Sequence, residues 1–521
     1  MTLAHKLRQL PAERLLGIRR GLEKESLRAQ PSGALALTPH PAALGSPLTH
    51  PHITTDYSES QLELITGVHA SPENCLAELT RIHQFVYCEM AKAGDECLWV
   101  GSMPCGLPTD ETIPLGRYGS SNIGRAKSVY RMGLGHRYGR RMQTISGIHY
   151  NWSMPGLSND EHFALIRNFR RHAFLLLTLF GASPAVCPSF VEGRDHGLQR
   201  LSAGTLYHPY ATSLRMGRLG YQSEAQSSLA VSYNSLDGYA ASLHEALTQP
   251  YPAYEKIGVR NLGGEYNQLA TTLLQIENEF YGTIRPKRVI RSGERPLHAL
   301  RERGVEYIEV RCMDLDPFEP VGINAQTLRF LDVFLLHCLL QDSPPDTPAE
   351  IAELGRNQHH AAAHGREPGL KLERGGQVVR LADWAHELLS ECLPIAQALD
   401  AAHGNAGSVG GGGGGGGGGD AYGAAVAAAL DAMAAPAKLP SARALATIEA
   451  DHDQRFTGFI RAQSEQTRNA LLALPWPAEL QANFEAMAAV SVRRQQALEA
   501  EDQMDFETFR QHYVSEARLN V

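Results

Sequence analysis

The chain has 521 residues, with 43% apolar and 20% charged residues and a formal net charge of −8. That composition is globular, so wholesale disorder and collagen-like order are excluded, and the acidic balance argues against a nucleic-acid or anionic-membrane partner. The first 21 residues contain no apolar core of signal-peptide type, and the longest apolar runs, Ala173–Phe180 and Phe330–Leu340, fall short of the ~20 residues that span a bilayer. The eight cysteines are scattered without a Cys-x-x-Cys pair, which speaks against structural zinc and a disulfide scaffold. A soluble, cytoplasmic protein with reduced thiols is expected.

In chain order, Arg20–Arg28 (RGLEKESLR) reads as a strand with Glu23 and Glu25 on one face. Ile53–Thr66 reads as a second strand, with Asp56 leading Glu59, Gln61 and Glu63 in phase. A helix follows over Pro72–Ala93. Met142–Met154 reads as a third strand, placing Gln143, His149 and Asn151 in phase, and a second helix covers Glu161–Leu179. Val305–Met313 is the last strand: Glu309 and Arg311 share one face, while Ile308 and Val310 point into apolar packing. From about residue 320 the pattern is helical, over Ala325–Leu340, Leu381–Leu399, Tyr422–Met433 and a charged region Pro477–Glu516. Gly404–Gly419 is expected to be a flexible surface loop, because ten consecutive glycines cannot pack. The fold class is therefore α+β, with a sheet-based region 1–340 and a mainly helical region 341–521 packed on it.

A single Glu-x-Glu pair is more often a solvated strand face than a ligand set. Its recurrence in three strands makes a divalent cation an equal alternative, since like carboxylates stacked on one face need a compensating charge, and hard cations take oxygen ligands. No Walker-type glycine loop is present, so a nucleotide would have to be held by bridging metal and arginines. Arginines recur in Tyr118–Arg141, around Arg215, and in Arg285–Arg291, as separate forks for carboxylate or phosphate. His359, His360 and His364 offer an i, i+4 pair, read as a polar helix surface rather than a zinc site. Acidic ligands with arginine clamps suggest phosphoryl transfer to a small acidic substrate.

The segments RGLEKESLR, HPAALGSPLTHPHITTDYSESQLELIT, SMPCGLP, YGSSNIGRAKSVYRMGLGHRYGRRMQTISGIHYNWSMP, LFGASPAVCPSF, YATSLRMGRLGY, QIENEFYGTIRPKR and GVEYIEVRCMDLDPF run in order from about residue 15 to 340. HGREPGL continues them more weakly. Together they resemble the proteobacterial class of glutamate–cysteine ligase. The resemblance implies an antiparallel sheet curled into a funnel, like that of glutamine synthetase, with Mg²⁺ (or Mn²⁺) and ATP at its wide end. It implies Glu23, Glu25, Asp56, Glu63 and Glu309 as metal ligands with His149 nearby, Arg311 on the transferring phosphate beside Glu309, and Arg215 on a substrate carboxylate. Tyr130, Leu134, Gln143, Tyr221 and Tyr281 would line a cysteine pocket, with Arg131 and Arg285 on substrate or phosphate charge.

The implied reaction joins the γ-carboxylate of glutamate to the amine of cysteine at the expense of ATP, through a γ-glutamyl phosphate. It is the first step of glutathione formation, with glutathione itself as an expected feedback ligand. No protein nucleophile is required, so Cys105 and Cys187 are expected to be packing residues. The rivals are a ligase of the same fold that uses another amine, and a non-catalytic binding protein.

Overall fold

The computed structural model describes residues 3–220, 224–227, 229–291, 293–409 and 420–519. Its largest sheet has seven strands: β1 (Arg19–Ala29), β2 (Ile53–Thr55), β3 (Gln61–Ile65), β4 (Cys97–Leu98), β5 (Ile148–Ser153), β6 (Ile284–Lys287) and β7 (Tyr307–Met313). They are ordered β2-β3-β1-β5-β7-β6, with β4 paired to one end of β1, and every pairing is antiparallel. The α+β expectation is met. A three-stranded sheet (Ala185–Val186, Gln199–Ser202, Thr205–Tyr207) and a hairpin (Lys371–Arg374, Gln377–Arg380) are peripheral.

Period-2 alternation divides the main sheet into two unlike faces. Leu22, Leu62, Leu64, Ile148, Tyr150, Trp152, Ile308 and Val310 are buried on one, where α1 (Pro72–Ala93), α3 (Asn159–Phe180) and α4 (Ala325–Leu340) cover it. α1 and α4 start at Pro72 and Ala325 as expected, while α3 starts at Asn159, two residues ahead of the expected Glu161. Ser71 and Asn324 cap α1 and α4, and Ser158 with Glu161 forms a capping box on α3. The other face carries the charged residues.

Two strand expectations need correction. Ile53–Thr66 is a hairpin, not one strand: Asp56–Ser60 turns the chain, with Gln61 N donating to Ser58 O (2.8 Å). The turn breaks the alternation, so Glu59 leaves the face of Glu63 and accepts from the backbone N–H groups of His40 (2.9 Å) and Arg117 (2.8 Å). Likewise Met142–Thr144 is a 3₁₀ turn ahead of β5, so Gln143 does not share a strand with His149.

The C-terminal region is helical as expected, and includes α5 (Pro348–His364), α6 (Leu381–Val409), α7 (Ala421–Ala434), α8 (Ala478–Glu501) and α9 (Phe506–Tyr513). Residues 404–409, expected to be loop, belong to α6, while 410–419 lie outside the described residues. Asp502–Asp505 interrupt the charged region 477–516, where Asp505 caps α9 by accepting from Thr508 N (3.0 Å). All eight cysteines are free, and burial pushes the Cys105 thiol up, in keeping with a packing role.

One buried ion pair ties the sheet to these helices. Arg20 of β1 meets Asp332 of α4 at 2.9 Å, both side chains fully buried, and Tyr150 of β5 donates to the same carboxylate at 2.6 Å. Breaking such a pair leaves an uncompensated buried charge. Asp332→Ala should therefore cost about 3–5 kcal/mol, read as a lowered urea midpoint. Tyr422→Phe, which removes a hydroxyl 3.5 Å from the same carboxylate, should cost less than about 1.5 kcal/mol.

Candidate active site

The register of the sheet brings the acidic residues together. Glu25 lies opposite Glu63, and Glu23 opposite His149. Asn151 is paired with Glu309, which is paired on its other side with Arg285. Glu23, Glu25, Asp56, Glu63, His149, Glu309 and Arg311 all line one cavity of about 760 Å³, as do Tyr130, Arg131, Leu134, Gln143, Tyr281 and Arg285. Arg215 does not line this cavity. It opens on an adjoining pocket of about 60 Å³ together with His149, Tyr281, Arg311 and Gln358. Tyr221 lies outside the described residues.

The floor of the cavity is a charge lattice. His149 Nδ1 is 3.1 Å from Glu23 and its Nε2 is 3.6 Å from Glu25. Asn151 Nδ2 donates to Glu23 (2.9 Å), and Gly147 N donates to Glu25 (2.7 Å). Glu309 is held by Lys287 at 3.0 Å and by Arg311 at 2.8 Å. One ligand atom each from Glu23, Glu63 and His149 lie within 4.8 Å of one another.

These contacts split the carboxylates into two kinds. Burial raises the pKa of Glu309, but Lys287 and Arg311 outweigh it and hold the group well below the ordinary range. Burial likewise opposes ionisation of Glu23, but the hydrogen bond with His149 and the charge of Lys287 bring it down. Glu25 and Glu63 have less cationic help. Burial, then the charge of Asp56, pushes Glu25 up to about 8, while burial and the charges of Glu23, Asp56 and Glu25 lift Glu63 well above the usual value. Burial and Arg311 lower His149, which favours neutral imidazole, the form that can ligate a cation. A pocket of oxygen donors with one imidazole and uncompensated carboxylates has the chemistry to take a hard divalent cation.

The remaining side chains surround this floor. Arg215 is fully buried, donates from Nη2 to Arg311 O (2.8 Å), and lies 3.6 Å from Asp314. Gly147 makes room for it, because a Cβ there would sit 2.0 Å from Arg215 Nη2. The helix α2 (Asn122–Tyr138) carries Tyr130, Arg131 and Leu134. Arg131 donates to the carbonyls of Asp56, Thr55 (3.4 Å) and Lys127 (3.0 Å) and stacks on Tyr118, so it fastens the Asp56 turn to α2. Gln143 Nε2 donates to Tyr281 Oη (2.7 Å), which brings the 3₁₀ turn into the pocket after all. Arg285 and Lys287 are shared with a side cavity of about 320 Å³ that is also lined by Tyr239, Leu243 and Leu297.

Lys287, one of the basic residues of 285–291 expected to clamp a carboxylate or phosphate, is in phase with Arg285 on β6 and meets Glu309. Leu498, Phe509 and Tyr513 of the C-terminal helices also line the main cavity, and no local pattern points to them. His359, His360 and His364 are in no group of described residues able to share a cation, and His364 pairs with Glu367 at 2.9 Å.

The family model described as glutamate-cysteine ligase matches residues 5–361. The glutamate–cysteine ligase of Alcanivorax borkumensis is 47% identical, with 96% of each chain covered, and that of Azotobacter vinelandii is 47% identical over 94% of this chain and 93% of the other. Among solved structures, the glutamate–cysteine ligase of Francisella tularensis in complex with AMP superposes with a TM-score of 0.89 at 35% identity, covering 96% of this chain and 98% of that one. Similarity at this level over nearly the whole length, together with the clustered carboxylates and arginines, places the chain in the glutamate–cysteine ligase family, as a ligase of glutathione biosynthesis.

Proposed function

We propose that the chain catalyses, in the cytoplasm, the ATP-dependent ligation of the γ-carboxylate of glutamate to the amine of cysteine through a γ-glutamyl phosphate. The observation that carries this reading is the cavity floor, where Glu23, Glu25, Asp56, Glu63, Glu309 and His149 converge beside Arg311 in a chain of this family. Those five carboxylates and His149 would hold Mg²⁺ or Mn²⁺, in a sheet that forms the curled funnel of the family. When bound, the cation neutralises crowded phosphate oxygens and polarises the transferred group.

The protein's own groups then divide the work. Arg215, pinned by Asp314 and the Arg311 carbonyl, receives a glutamate carboxylate in the small pocket and aims the γ-carboxylate at the floor. Arg285 and Lys287 receive the polyphosphate, with the nucleoside in the 320 Å³ side cavity between Tyr239, Leu243 and Leu297. Arg311, fixed by Glu309 at 2.8 Å, follows the phosphoryl group as it passes to the carboxylate. Tyr130, Leu134, Gln143 and Tyr281 place the cysteine, with Arg131 at its edge, so that its amine attacks the acyl carbon. The C–O bond to phosphate breaks, and the departing phosphate takes the proton that the amine gives up. Glutathione, which contains both amino acids, would occupy the same two subsites as a feedback ligand.

Release of phosphate from ATP with glutamate should depend on cysteine and on Mg²⁺, and should vanish in EDTA; a cysteine-independent or EDTA-resistant rate would overturn the reading. Glu25→Gln and Glu309→Gln should each lower kcat at least about 100-fold while leaving far-UV circular dichroism unchanged.

A pH dependence follows from the raised carboxylates. Glu25 has a folded value of about 8 against an ordinary 4.5, so metal-free protein is fully stabilised by this group below about pH 4.5 and loses that stabilisation as pH rises through 8. A bound divalent cation should remove the loss. The rise in Tm on adding Mg²⁺ to EDTA-treated protein should therefore be larger at pH 8.5 than at pH 6.

A further inference from the structure

The C-terminal helices reach back across about 380 residues of sequence to the cavity. Phe506 of α9, with Ala126 of α2 and Leu269, forms a small apolar cluster separate from the main core. Tyr130, Ile276, Phe509 and Tyr513 pack against it. The rings of Phe506, Phe509 and Tyr513 are stacked in sequence, at centroid distances of 6.4 and 5.6 Å. Phe509, Tyr513 and Leu498 also line the 760 Å³ cavity, as do Tyr130, Leu134 and Ile276. Tyr130 therefore lines the cavity and packs on the same apolar cluster as the aromatic ladder from the far end of the chain.

The ladder is fastened to both banks of the cavity. On the α2 side, Ser120 N donates to Glu499 (2.8 Å), Asn122 N to Asp502, and Asn122 Nδ2 to Met504 O (2.8 Å). These bonds fix the N-terminus of the helix that carries Tyr130, Arg131 and Leu134. On the opposite bank, Arg295 is buried in a two-pronged pair with Glu277 (2.9 and 2.7 Å) and donates its remaining nitrogen to Tyr513 O (2.7 Å). Arg510 donates to Leu269 O (2.6 Å) between the two. Charge-assisted bonds of this kind, several to backbone atoms, hold a helix to a fixed position rather than merely covering apolar surface.

We infer that α9 is a working wall of the acceptor half of the site, and that Phe509 and Tyr513 are positioning residues that set which amine-bearing substrate fits. They act by holding Tyr130 and closing the apolar end of the cavity, so that only a short side chain can extend there. This inference rests on the ligase reading above. A cavity wall discriminates by about 10–200-fold per methylene-sized change, which makes the effect measurable as selectivity.

The test uses the full-length protein with ATP, glutamate, Mg²⁺ and a series of acceptors: cysteine, α-aminobutyrate, homocysteine and methionine. The acceptor that wild type prefers reports on the ligase reading; the shift in that preference reports on the wall. Phe509→Ala and Tyr513→Ala should raise KM for the preferred acceptor about 10-fold, keep KM for ATP within about twofold, and shift kcat/KM toward the longer acceptors by about 10-fold. Phe509→Leu should shift both quantities less, in the same direction, and it decides the question if the alanine variants do not fold. An unchanged acceptor ratio in folded variants, or a fall in kcat common to all acceptors, would overturn the inference.

Discussion

Carboxylate crowding is the constraint on which the rest of this structure depends. Five acidic side chains and an imidazole are drawn into one cavity, and at separations of a few ångströms in a partly desolvated site their repulsion is several kcal/mol per pair. The protein answers part of it with fixed cations, Lys287 and Arg311 on Glu309, and leaves Glu25 and Glu63 underneutralised. A site that neutralised every carboxylate internally would have nothing left to attract a divalent ion. One that neutralised none would push its strands apart. The uneven distribution leaves part of the crowding uncompensated by the protein's own cations.

Such a floor needs a stiff support, and the reverse of the sheet supplies it. Arg20 sits three residues before Glu23, and Tyr150 directly follows His149, yet both point away from the cavity and meet at Asp332. The strands that carry the carboxylates on one face are thus locked to α4 on the other. Tyr422, at the start of α7, lies 3.5 Å from the same carboxylate, so the helical region also bears on this point. Asp400 accepts from the N–H groups of Tyr422 and Gly423 (2.9 Å each) and ties α7 back to α6. The two helices that flank the glycine run are therefore positioned by their own contacts.

How much of this was legible in the sequence follows from the range of each signal. Alternation is local, so Glu23 with Glu25, and Glu309 with Arg311, were readable as same-face pairs, and the apolar partners Ile308 and Val310 confirmed the parity. Helix boundaries set by Ser71 and Asn324 were equally local. The hairpin at Asp56–Ser60 was missed because its polar residues also fit an alternating strand, which wrongly carried Glu59 along with Glu63. The alternation that put Gln143 in phase with His149 does not hold, since Gln143 enters the pocket from a 3₁₀ turn by bonding Tyr281, and only the resemblance carried it there. That Glu25 faces Glu63, and Glu23 faces His149, is a matter of register between distant strands, and only the resemblance to a family carried that information. Phe509 and Tyr513 had no signal at all, because an aromatic at helical spacing reads as core.

Strand-borne and helix-borne groups meet the cavity in physically different ways. All the charged groups of the floor sit on strands or on turns between them, where cross-strand hydrogen bonds fix the backbone on both sides and a displacement of one ligand must move its neighbours. The aliphatic and aromatic lining comes instead from helices, with Tyr130 and Leu134 on α2 and Phe509 and Tyr513 on α9, and Asn122 of α2 bonded to Met504 O just ahead of α9. Ladder-bound strands suit chemistry that tolerates little misplacement, such as in-line phosphoryl transfer. The helices joined by side-chain bonds rest on contacts separate from the cross-strand ladder, so in the proposed ligase reading the acceptor wall is built independently of the charge geometry of the floor.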